Sequence, residues 1–329
     1  MERGPIFIAG IERSGTSLIY ALLASHPNIA MTRRTNLWSF FYNQYGDLAR
    51  QENFERCLAA MMRYKRLLKL NPDPERIRRE FWQGAPTYPR LFALLEEHYA
   101  QQLGKPRWGD KSLNQERYVD QIFAAYPDAK MIQMLRDPRD RYASALTRWK
   151  VIRGRAGSGL ARWLWSVEQG MRNQRRYPER YLIVRYEQLA AHPEATLRTI
   201  CAFIGEEYSP AMLTMEGAPA HRNKGGNSSY GRGEPGKIST SSIGRFRKVL
   251  SPRDVLFMQA YAGARMAEFG YQLEPLALSG RDRLLYTFVD WPFNLVRMLG
   301  WRAREALRDR LGRSPAEHTI VDRVEVSGA

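Results

Sequence analysis

One stretch near the amino terminus, residues 10–17 (GIERSGTS), most limits what this chain can fold into. The apolar run at residues 5–9 is typical of a buried strand, and residues 18–23 are typical of a helix that ends before Pro27. A strand, a glycine loop and a helix in this order direct backbone N–H groups and the positive end of the helix dipole to one place. Residues 10–17, the anion loop, therefore predict a cradle for an oxyanion, although an ordinary turn with glycines for its geometry has the same pattern.

The spacing within the anion loop indicates which oxyanion it suits. Gly10 and Gly15 enclose four residues and Ser17 follows two positions later, as in a nucleotide-binding P-loop. Such a loop has a lysine where this chain has Thr16, and the basic side chain here, Arg13, comes three positions earlier. Without that lysine, and without an obvious carboxylate motif for magnesium, a P-loop kinase or ATPase is disfavoured, whereas an early arginine still suits a phosphosulfate group.

Further apolar runs complete an α/β pattern. Residues 130–135 and 181–185 are typical of buried parallel strands, and residues 28–31 are a candidate second strand. Between about residues 50 and 105, apolar positions recur at helical spacing, which predicts a helical insertion that either walls a substrate site or simply packs as core. The predicted fold class is α/β: a P-loop-type parallel sheet flanked by helices, with this insertion and a C-terminal helical extension. We expect an α/β domain over residues 1–275 and the extension over residues 276–329.

A second candidate for oxyanion binding follows the predicted strand at residues 130–135. Arg136 lies at the strand end, Asp137 is suited to cap a following helix, and Ser144 lies within that helix. A guanidinium and a hydroxyl group together bind a phosphate well. Alternatively, Arg136 only pairs with Asp137 or Asp140 at the surface.

Three other features are candidates for ligand contact. Tyr186 comes directly after residues 181–185, where its ring would stack on a base or pack on the edge of the sheet. Lys111, in the short segment 107–112, faces a bound ligand or is one solvated lysine among many. Residues 217–244 are rich in glycine, serine and basic residues, which predicts either a mobile lid over an anionic ligand or a solvated loop.

Composition narrows the function classes. With 44% hydrophobic and 26% charged residues, the 329-residue chain is expected to be globular. Its net charge of +17 attracts polyanions, but no DNA- or RNA-binding motif accompanies the charge, so a specific nucleic acid partner is not expected. The two cysteines, Cys57 and Cys201, predict neither a disulfide framework nor a zinc site, and we expect no metal.

The apolar residues also predict a location. The first apolar run is a predicted strand and not a signal sequence, and no run is long enough to span a bilayer, so we expect a cytoplasmic protein. Residues 280–313 form a basic, amphipathic tail that includes Trp291 and Trp301. This tail suits a peripheral contact with the inner membrane, packing on the core, or a dimer contact. The sequence leaves the oligomeric state open.

Taken together, several separated segments resemble one family, the sulfotransferases that use 3′-phosphoadenosine 5′-phosphosulfate (PAPS), in their bacterial and tyrosylprotein-type branch. Residues 13–17 (RSGTS) resemble the family's 5′-phosphosulfate loop, residues 136–144 (RDPRDRYAS) its 3′-phosphate motif, and residues 184–189 (VRYEQL) its third block. Residues 243–246 (IGRF) resemble the late basic-aromatic element that closes over the cofactor. The resemblance covers roughly residues 5–270 in order.

The resemblance implies an enzyme that moves a sulfuryl group from PAPS to a hydroxyl or amine, without a metal. The residues that would bind the donor are Arg13, Ser14, Gly15, Thr16, Ser17, Arg136, Ser144, Tyr186 and Arg245. In the family pattern, Arg13 would meet the bridging or leaving oxygen and the rest of the anion loop the 5′-phosphate. Arg136 and Ser144 would hold the 3′-phosphate, and Tyr186 would lie against adenine. Lys111 matches a catalytic lysine and would neutralise the sulfonate.

The general base is where this sequence departs from the family pattern. Many relatives have a glutamate just after the second strand, where this chain has residues 32–35 (TRRT) and no carboxylate. Asp110, beside Lys111, is the first candidate for the base, and Glu12 and His221 are the other two. The missing carboxylate also keeps open a non-catalytic protein that binds polyanions or nucleotides in a relict pocket.

The same segment predicts the kind of acceptor. Arg33 and Arg34 follow the second strand, where the family pattern puts the entrance for the acceptor. Two arginines at this entrance attract negative charge. We therefore expect an acidic acceptor, either a small molecule, a glycan or an anionic glycolipid.

Overall fold

A parallel β-sheet forms the centre of the molecule. The computed structural model describes residues 3–149, 156–225 and 234–311. The strands of the sheet are β1 (Ile6–Ala9), β2 (Ile29–Arg33), β3 (Arg107–Lys111), β4 (Lys130–Leu135) and β5 (Tyr181–Arg185). Within the described residues these five strands lie in the order β2-β3-β1-β4-β5, and every neighbouring pair is parallel.

The sheet is covered on both faces, which explains its sequence pattern. All four residues of β1 are buried, as are five of the six residues of β4. A strand buried on both faces needs apolar side chains in succession and not in alternation. The predicted α/β class with a P-loop-type parallel sheet is confirmed.

Helices connect the strands and surround the sheet. Their bounds are Thr16–Ala24 (α1), Leu37–Phe40 (α2), Gln51–Met62 (α3), Lys65–Leu68 (α4), Pro74–Phe81 (α5), Tyr88–Gln102 (α6), Val119–Ala125 (α7), Pro138–Trp149 (α8), Ala156–Arg176 (α9), Tyr186–Ala191 (α10), Pro193–Ile204 (α11), Pro219–Arg222 (α12), Phe246–Val249 (α13), Pro252–Glu268 (α14), Gly280–Leu285 (α15) and Trp291–Leu311 (α16). Short 3-10 turns occupy Gln115–Arg117 and Pro210–Thr214, and a π-helical turn, Tyr286–Asp290, joins α15 to α16.

The segment between β2 and β3 is helical, as predicted. Asp73 and Thr87 each accept a hydrogen bond from a backbone N–H in the first turn of α5 and α6, so both helices begin at a capping side chain. Phe54 of α3 and Phe81 of α5 stack with ring centroids 4.2 Å apart. These apolar faces continue into the core beneath β1 and β3, so core packing accounts for the helical pattern of the insertion.

The C-terminal extension packs on the body of the protein through one face of α16. Asn294 of α16 is buried and its side chain accepts a hydrogen bond from the N–H of Gly157 in α9 at 2.9 Å. A Cβ atom on Gly157 would lie 1.9 Å from the carbonyl oxygen of Asn294, so glycine permits this close approach of the two helices. The boundary between residues 275 and 276 stays a prediction.

Two predicted segments fall partly or wholly beyond the described ranges. Residues 226–233 of the predicted lid at 217–244, and the chain end from residue 312, lie outside them. The described part of the lid segment contains α12. In the described residues, no helix combines the length and the apolar character that crossing a bilayer requires.

Candidate active site

The anion loop lies at the carboxyl end of β1 in a strained backbone conformation. Gly10 and Gly15 have φ angles of 117° and 91°, and Arg13 has φ 69°, a left-handed value that non-glycine residues seldom adopt. The N–H of Gly10 donates to Glu116 Oε2 at 3.1 Å, and Glu116 in turn accepts from Ser166 of α9. The loop is therefore held from below by a buried carboxylate.

The ring of Tyr186 supports the other end of the anion loop. A Cβ atom on Gly15 would lie 2.5 Å from Cδ2 of Tyr186, so the ring touches the loop where glycine leaves room. The guanidinium of Arg136 lies 4.5 Å from the centre of the same ring. Tyr186 thus packs between the two predicted oxyanion sites, as in the packing alternative, and its contact with adenine stays a prediction.

The structure brings the two predicted oxyanion sites together. Arg136 is buried and donates from Nη1 to the carbonyl of Arg13 at 3.2 Å and from Nη2 to the carbonyl of Ser242 at 2.7 Å. Arg13 donates from Nε to Ser144 Oγ at 2.8 Å. Arg136 forms no ion pair with an aspartate in the described residues, so the surface-pairing alternative does not describe it.

The residues around Arg245 close the site on the side of α8. Asp140 accepts hydrogen bonds from the N–H groups of Gly244 and Phe246 at 2.7 and 2.9 Å. The hydroxyl groups of Ser242 and Tyr186 lie 2.6 Å apart. Arg245 is half-buried and immediately precedes α13. The segment resembling the late basic-aromatic element therefore lies against the second motif, and its closure over the cofactor stays a prediction.

Lys111 lies at the carboxyl end of β3, beside the strand that leads into the anion loop. Its register partners are Ile8 of β1 and Arg33 of β2. The side chain is only 1% exposed and makes no hydrogen bond with the described residues. Burial, together with the charges of Arg34 and Arg33, lowers the pKa of Lys111 to about 7, against the opposing effect of Asp110. Lys111 is therefore a buried amine that has no hydrogen-bond acceptor among the described residues.

Asp110 faces the opposite side of the sheet from Lys111, because adjacent residues of a strand alternate. Its carboxylate accepts hydrogen bonds from Thr32 and Thr35, both at 2.8 Å, and from Gln115. Burial raises the pKa of Asp110 despite these donors, and burial and the nearby Asp110 keep the pKa of Glu96 well above its usual range. The structure does not bring the carboxylate of Asp110 to the side of Lys111.

The other two candidates for the general base differ sharply. Glu12 accepts from Arg141 and from Arg162, the latter at 2.7 Å, and these charges hold its pKa below the ordinary value although burial opposes the shift. His221 has a buried Nε2 atom without a hydrogen-bond partner among the described residues. Burial and the charges of Arg33 and Lys224 lower the pKa of His221 to about 4, so its ring is neutral at pH 7.

Three arginines, Arg34, Arg33 and Arg66, lie close enough to Lys111 for their charges to lower its pKa. The guanidinium of Arg33 lies 5.5 Å from the ring centre of Tyr20, and Arg66 donates to the carbonyl of Arg34 at 3.1 Å. We call Arg33, Arg34, Arg66 and Lys111 the basic mouth. Arg66 belongs to the helical insertion, so the insertion reaches this site. The sequence around Arg66 resembles an exposed helix surface and did not indicate this contact.

Sequence reasoning also missed the residues that hold the site together. Glu116 and Asp140 accept hydrogen bonds from backbone N–H groups of other segments, and the carbonyl of Ser242 accepts one from the side chain of Arg136. Such contacts depend on chain segments that are distant in sequence, so no local pattern identifies them. In the described residues no cluster of histidine, cysteine, aspartate or glutamate is arranged to hold a metal ion.

A model of the sulfotransferase family matches residues 5–210 of the chain, which include the anion loop, Lys111, the second motif and Tyr186 but neither His221 nor the segment around Arg245. The match covers more than half of the sequence, and the chain belongs to the sulfotransferase family. The family predicted from the separated motifs is therefore confirmed.

Curated relatives are protein-tyrosine sulfotransferases. The chain is 29% identical over 220 residues to protein-tyrosine sulfotransferase 1 of Danio rerio, covering 64% of this chain and 56% of that protein. It is 25% identical over 331 residues to protein-tyrosine sulfotransferase 2 of Gallus gallus, covering 88% of this chain and 78% of that protein. The chain thus spans little more than half the length of the first of these relatives.

Solved structures support the fold. The sulfotransferase domain of the Synechococcus PCC 7002 olefin synthase has a TM-score of 0.54 and 23% identity, covering 82% of this chain and 95% of that one. The sulfotransferase domain from the curacin biosynthetic pathway has a TM-score of 0.54 and 20% identity, covering 83% of this chain and 99% of that one. At these identities the likeness concerns the fold.

Proposed function

We propose that the protein transfers a sulfuryl group from PAPS to a hydroxyl group of an acidic acceptor. One observation carries the proposal: the anion loop and the second motif adjoin through the contacts of Arg13 with Ser144 and of Arg136 with the carbonyl of Arg13. A nucleotide with phosphates at both its 5′ and 3′ positions requires two neighbouring sets of anion-binding residues, such as the anion loop and the second motif. ATP has no 3′-phosphate for the second motif to bind.

Two buried polar atoms fit the phosphate groups of this donor. Ser14 Oγ, in the anion loop, and Arg136 Nε are buried and have no hydrogen-bond partner among the described residues. Buried polar atoms of this kind destabilise a protein unless a ligand or water satisfies them. Phosphate oxygens would satisfy both, beside the backbone N–H groups and the hydroxyls of Thr16 and Ser17 at the start of α1.

The chemistry then follows from charge. The bond between sulfur and the 5′-phosphate oxygen breaks, a bond between sulfur and the acceptor oxygen forms, and the acceptor proton goes to a base. Negative charge grows on the leaving phosphate oxygen, and fixed cations stabilise it without reorganisation. Arg13 and Lys111 would supply that stabilisation.

We infer that His221 is the base. The charge of Arg33 lowers the pKa of both His221 and Lys111, so the three side chains share one electrostatic environment. A neutral imidazole with an unpartnered nitrogen accepts a proton directly. Glu12 is engaged by two arginines, and Asp110 faces the other side of β3, so both are poorer candidates.

The basic mouth favours an acidic acceptor. Three arginines lie near Lys111, while the carboxylate of Asp110 is engaged by Thr32 and Thr35. A glycan with acidic groups or an anionic glycolipid suits this charge. The relatives are named for protein tyrosine, so an acidic peptide with a tyrosine is the natural competitor. The cytoplasmic location expected from the sequence stays a prediction.

Acceptor choice tests the proposal directly. The protein would be incubated with PAPS labelled in the sulfonate group and with matched acceptors: an acidic glycan, its neutral counterpart, an acidic tyrosine peptide and a neutral phenol. We expect transfer to the acidic glycan and little to its neutral counterpart. Transfer to neutral phenols alone contradicts the acidic acceptor, and transfer to none, with retained binding of the 3′,5′-bisphosphate product, favours a non-catalytic binding protein.

The donor assignment predicts a loss of binding when Arg136 is replaced. Arg136→Ala should weaken binding of 3′-phosphoadenosine 5′-phosphate by at least about 2 kcal/mol, roughly thirtyfold, because a charge-assisted hydrogen bond to the 3′-phosphate is lost. Isothermal titration calorimetry measures the affinity. Adenosine 5′-monophosphate, which lacks the 3′-phosphate, should bind wild type and variant alike.

The matched control is Arg198→Ala, an exposed arginine on α11 that pairs with Glu194. It should bind the bisphosphate as the wild type does. Since Arg136 also donates to Ser242, thermal unfolding would verify that the variant is folded. A folded Arg136→Ala protein that still prefers the bisphosphate over the monophosphate would show that Arg136 only supports the 242–246 segment.

A further inference from the structure

The C-terminal helices expose several large apolar side chains, most of them between residues 284 and 299. Phe288 is 74% exposed and Val296 is 69% exposed, although both are large apolar residues. The residues that share this exposure are Leu284, Phe288, Val289, Trp291, Phe293, Val296, Leu299 and Leu307. We call this set the outer apolar face. Exposed apolar side chains in this number, on neighbouring helices, indicate a surface that meets a partner.

Packing fixes the direction of the outer apolar face. Asn294 and Met298 of α16 are buried against the body, and Asn294 bonds to Gly157 of α9. Val296, Leu299 and Leu307 lie on the opposite side of the same helix, because residues three, eight and eleven apart share a side. These three residues therefore point away from the protein and cannot reach the core without undocking α16.

Charges on these helices are sorted between the two sides. The acids pair inward with the body: Asp282 and Asp290 pair with Arg253, and Glu305 and Asp309 pair with Arg117. Within the described ranges, six arginines of these helices have no carboxylate at ion-pair distance: Arg281, Arg283, Arg297, Arg304, Arg308 and Arg310. Arg297 lies over the ring of Phe293, a member of the outer apolar face, at 4.1 Å. Cations therefore border the apolar residues.

We propose that the outer apolar face binds an anionic lipid surface. Aromatic and aliphatic side chains enter the boundary between headgroups and acyl chains, while bordering arginines contact anionic headgroups. A second copy of the chain fits less well, because a two-fold contact through this face would set uncompensated arginines against one another. The acids that would relieve this repulsion are already paired with Arg117 and Arg253. This proposal is independent of the proposed function.

Vesicle co-sedimentation of the full chain tests it. We expect the protein to sediment with vesicles of phosphatidylcholine and phosphatidylglycerol, and far less with phosphatidylcholine alone. The double variant Phe288→Ser/Val296→Ser should lower the partition coefficient more than tenfold, because two apolar side chains no longer enter the bilayer. Leu103→Ser, which changes a 48% exposed leucine at the end of α6, should bind as the wild type does.

Substitution of the arginines and measurement of self-association provide results that could contradict the proposal. Arg283→Gln/Arg304→Gln should weaken binding to the anionic vesicles and reduce its salt dependence. The proposal is overturned if the wild type stays in the supernatant with both kinds of vesicle, or if the serine double variant binds unchanged. It is also overturned if light scattering finds a dimer that Val296→Asp separates, since a second copy then covers the face. Sulfuryl transfer to a soluble acceptor should be unchanged in all these variants. If the wild type shows no such transfer, that result contradicts the proposed function and not the binding of lipid.

Discussion

Replacing Lys111 by methionine is expected to lower the rate constant for sulfuryl transfer about 10²- to 10³-fold, the scale on which one preorganised charge acts in a transition state. Lys111 is buried, makes no hydrogen bond with the described residues and sits at the strand end beside the anion loop. Methionine keeps the length of the side chain and removes the charge. Single-turnover assays with labelled donor would measure the rate.

The pH dependence of the same variant separates charge from packing. The pKa of Lys111 is about 7, with Arg33, Arg34 and Arg66 favouring the neutral form and Asp110 the charged form. The lysine is charged below that pH, so kcat/KM of the wild type should fall as pH rises through about 7. Lys111→Arg keeps its charge and should not show this fall. As a control, Lys130→Met changes a strand lysine at the opposite end of the sheet; equal losses in Lys130→Met and Lys111→Met would mean that the effect is structural.

Replacing His221 by alanine is expected to lower the transfer rate at least about 10²-fold, the lower end of what a general base contributes. The buried Nε2 of this residue lacks a partner among the described residues, and its pKa of about 4 keeps the ring neutral in the physiological range. The activity of the wild type that depends on this base should rise as pH rises through about 4 and stay constant above it, until Lys111 loses its charge. Steady-state assays over this range would measure both limbs.

Added imidazole distinguishes a base from a structural residue. If His221 accepts the acceptor's proton, free imidazole should restore part of the rate in His221→Ala and leave the affinity for the bisphosphate unchanged. His192→Ala, at an exposed histidine before α11, should behave as the wild type. If His221→Ala keeps full activity and added imidazole changes nothing, the general base is a different, unidentified group.

The parts of the fold that sequence predicted are those with local signals. β4 and β5 are apolar runs, and the anion loop combines two glycines at fixed spacing with a strand and a helix. In contrast, β3 reads Arg-Trp-Gly-Asp-Lys and is buried throughout. Its charges are satisfied only in three dimensions, since Arg107 bonds to Glu206 and to the carbonyl of Gly4. Hydrophobic periodicity could not reveal such a strand.

The same limit explains which site residues sequence could rank. Arg13, Arg136 and Ser144 stood out because a family pattern puts them at fixed separations, and the structure brings them into contact. Asp110 was ranked first as the base because it adjoins Lys111 in sequence. Adjacent residues of a strand point apart, however, and only the contacts with Thr32 and Thr35 reveal which side Asp110 faces. The proposal of His221 as the base depends on how α12 packs, which the sequence does not indicate.

Helix α9 connects the C-terminal helices to the anion loop. At Gly157 it carries α16, and nine residues further on Ser166 bonds to the carboxylate that holds Gly10. These two points are about 14 Å apart along one helix axis. Helix α9 thus fixes the distance and orientation of the proposed sulfuryl-transfer site relative to the surface that the C-terminal helices are proposed to bind. An acceptor embedded in that surface would reach the site in one orientation, whereas a freely diffusing acceptor would reach it in many.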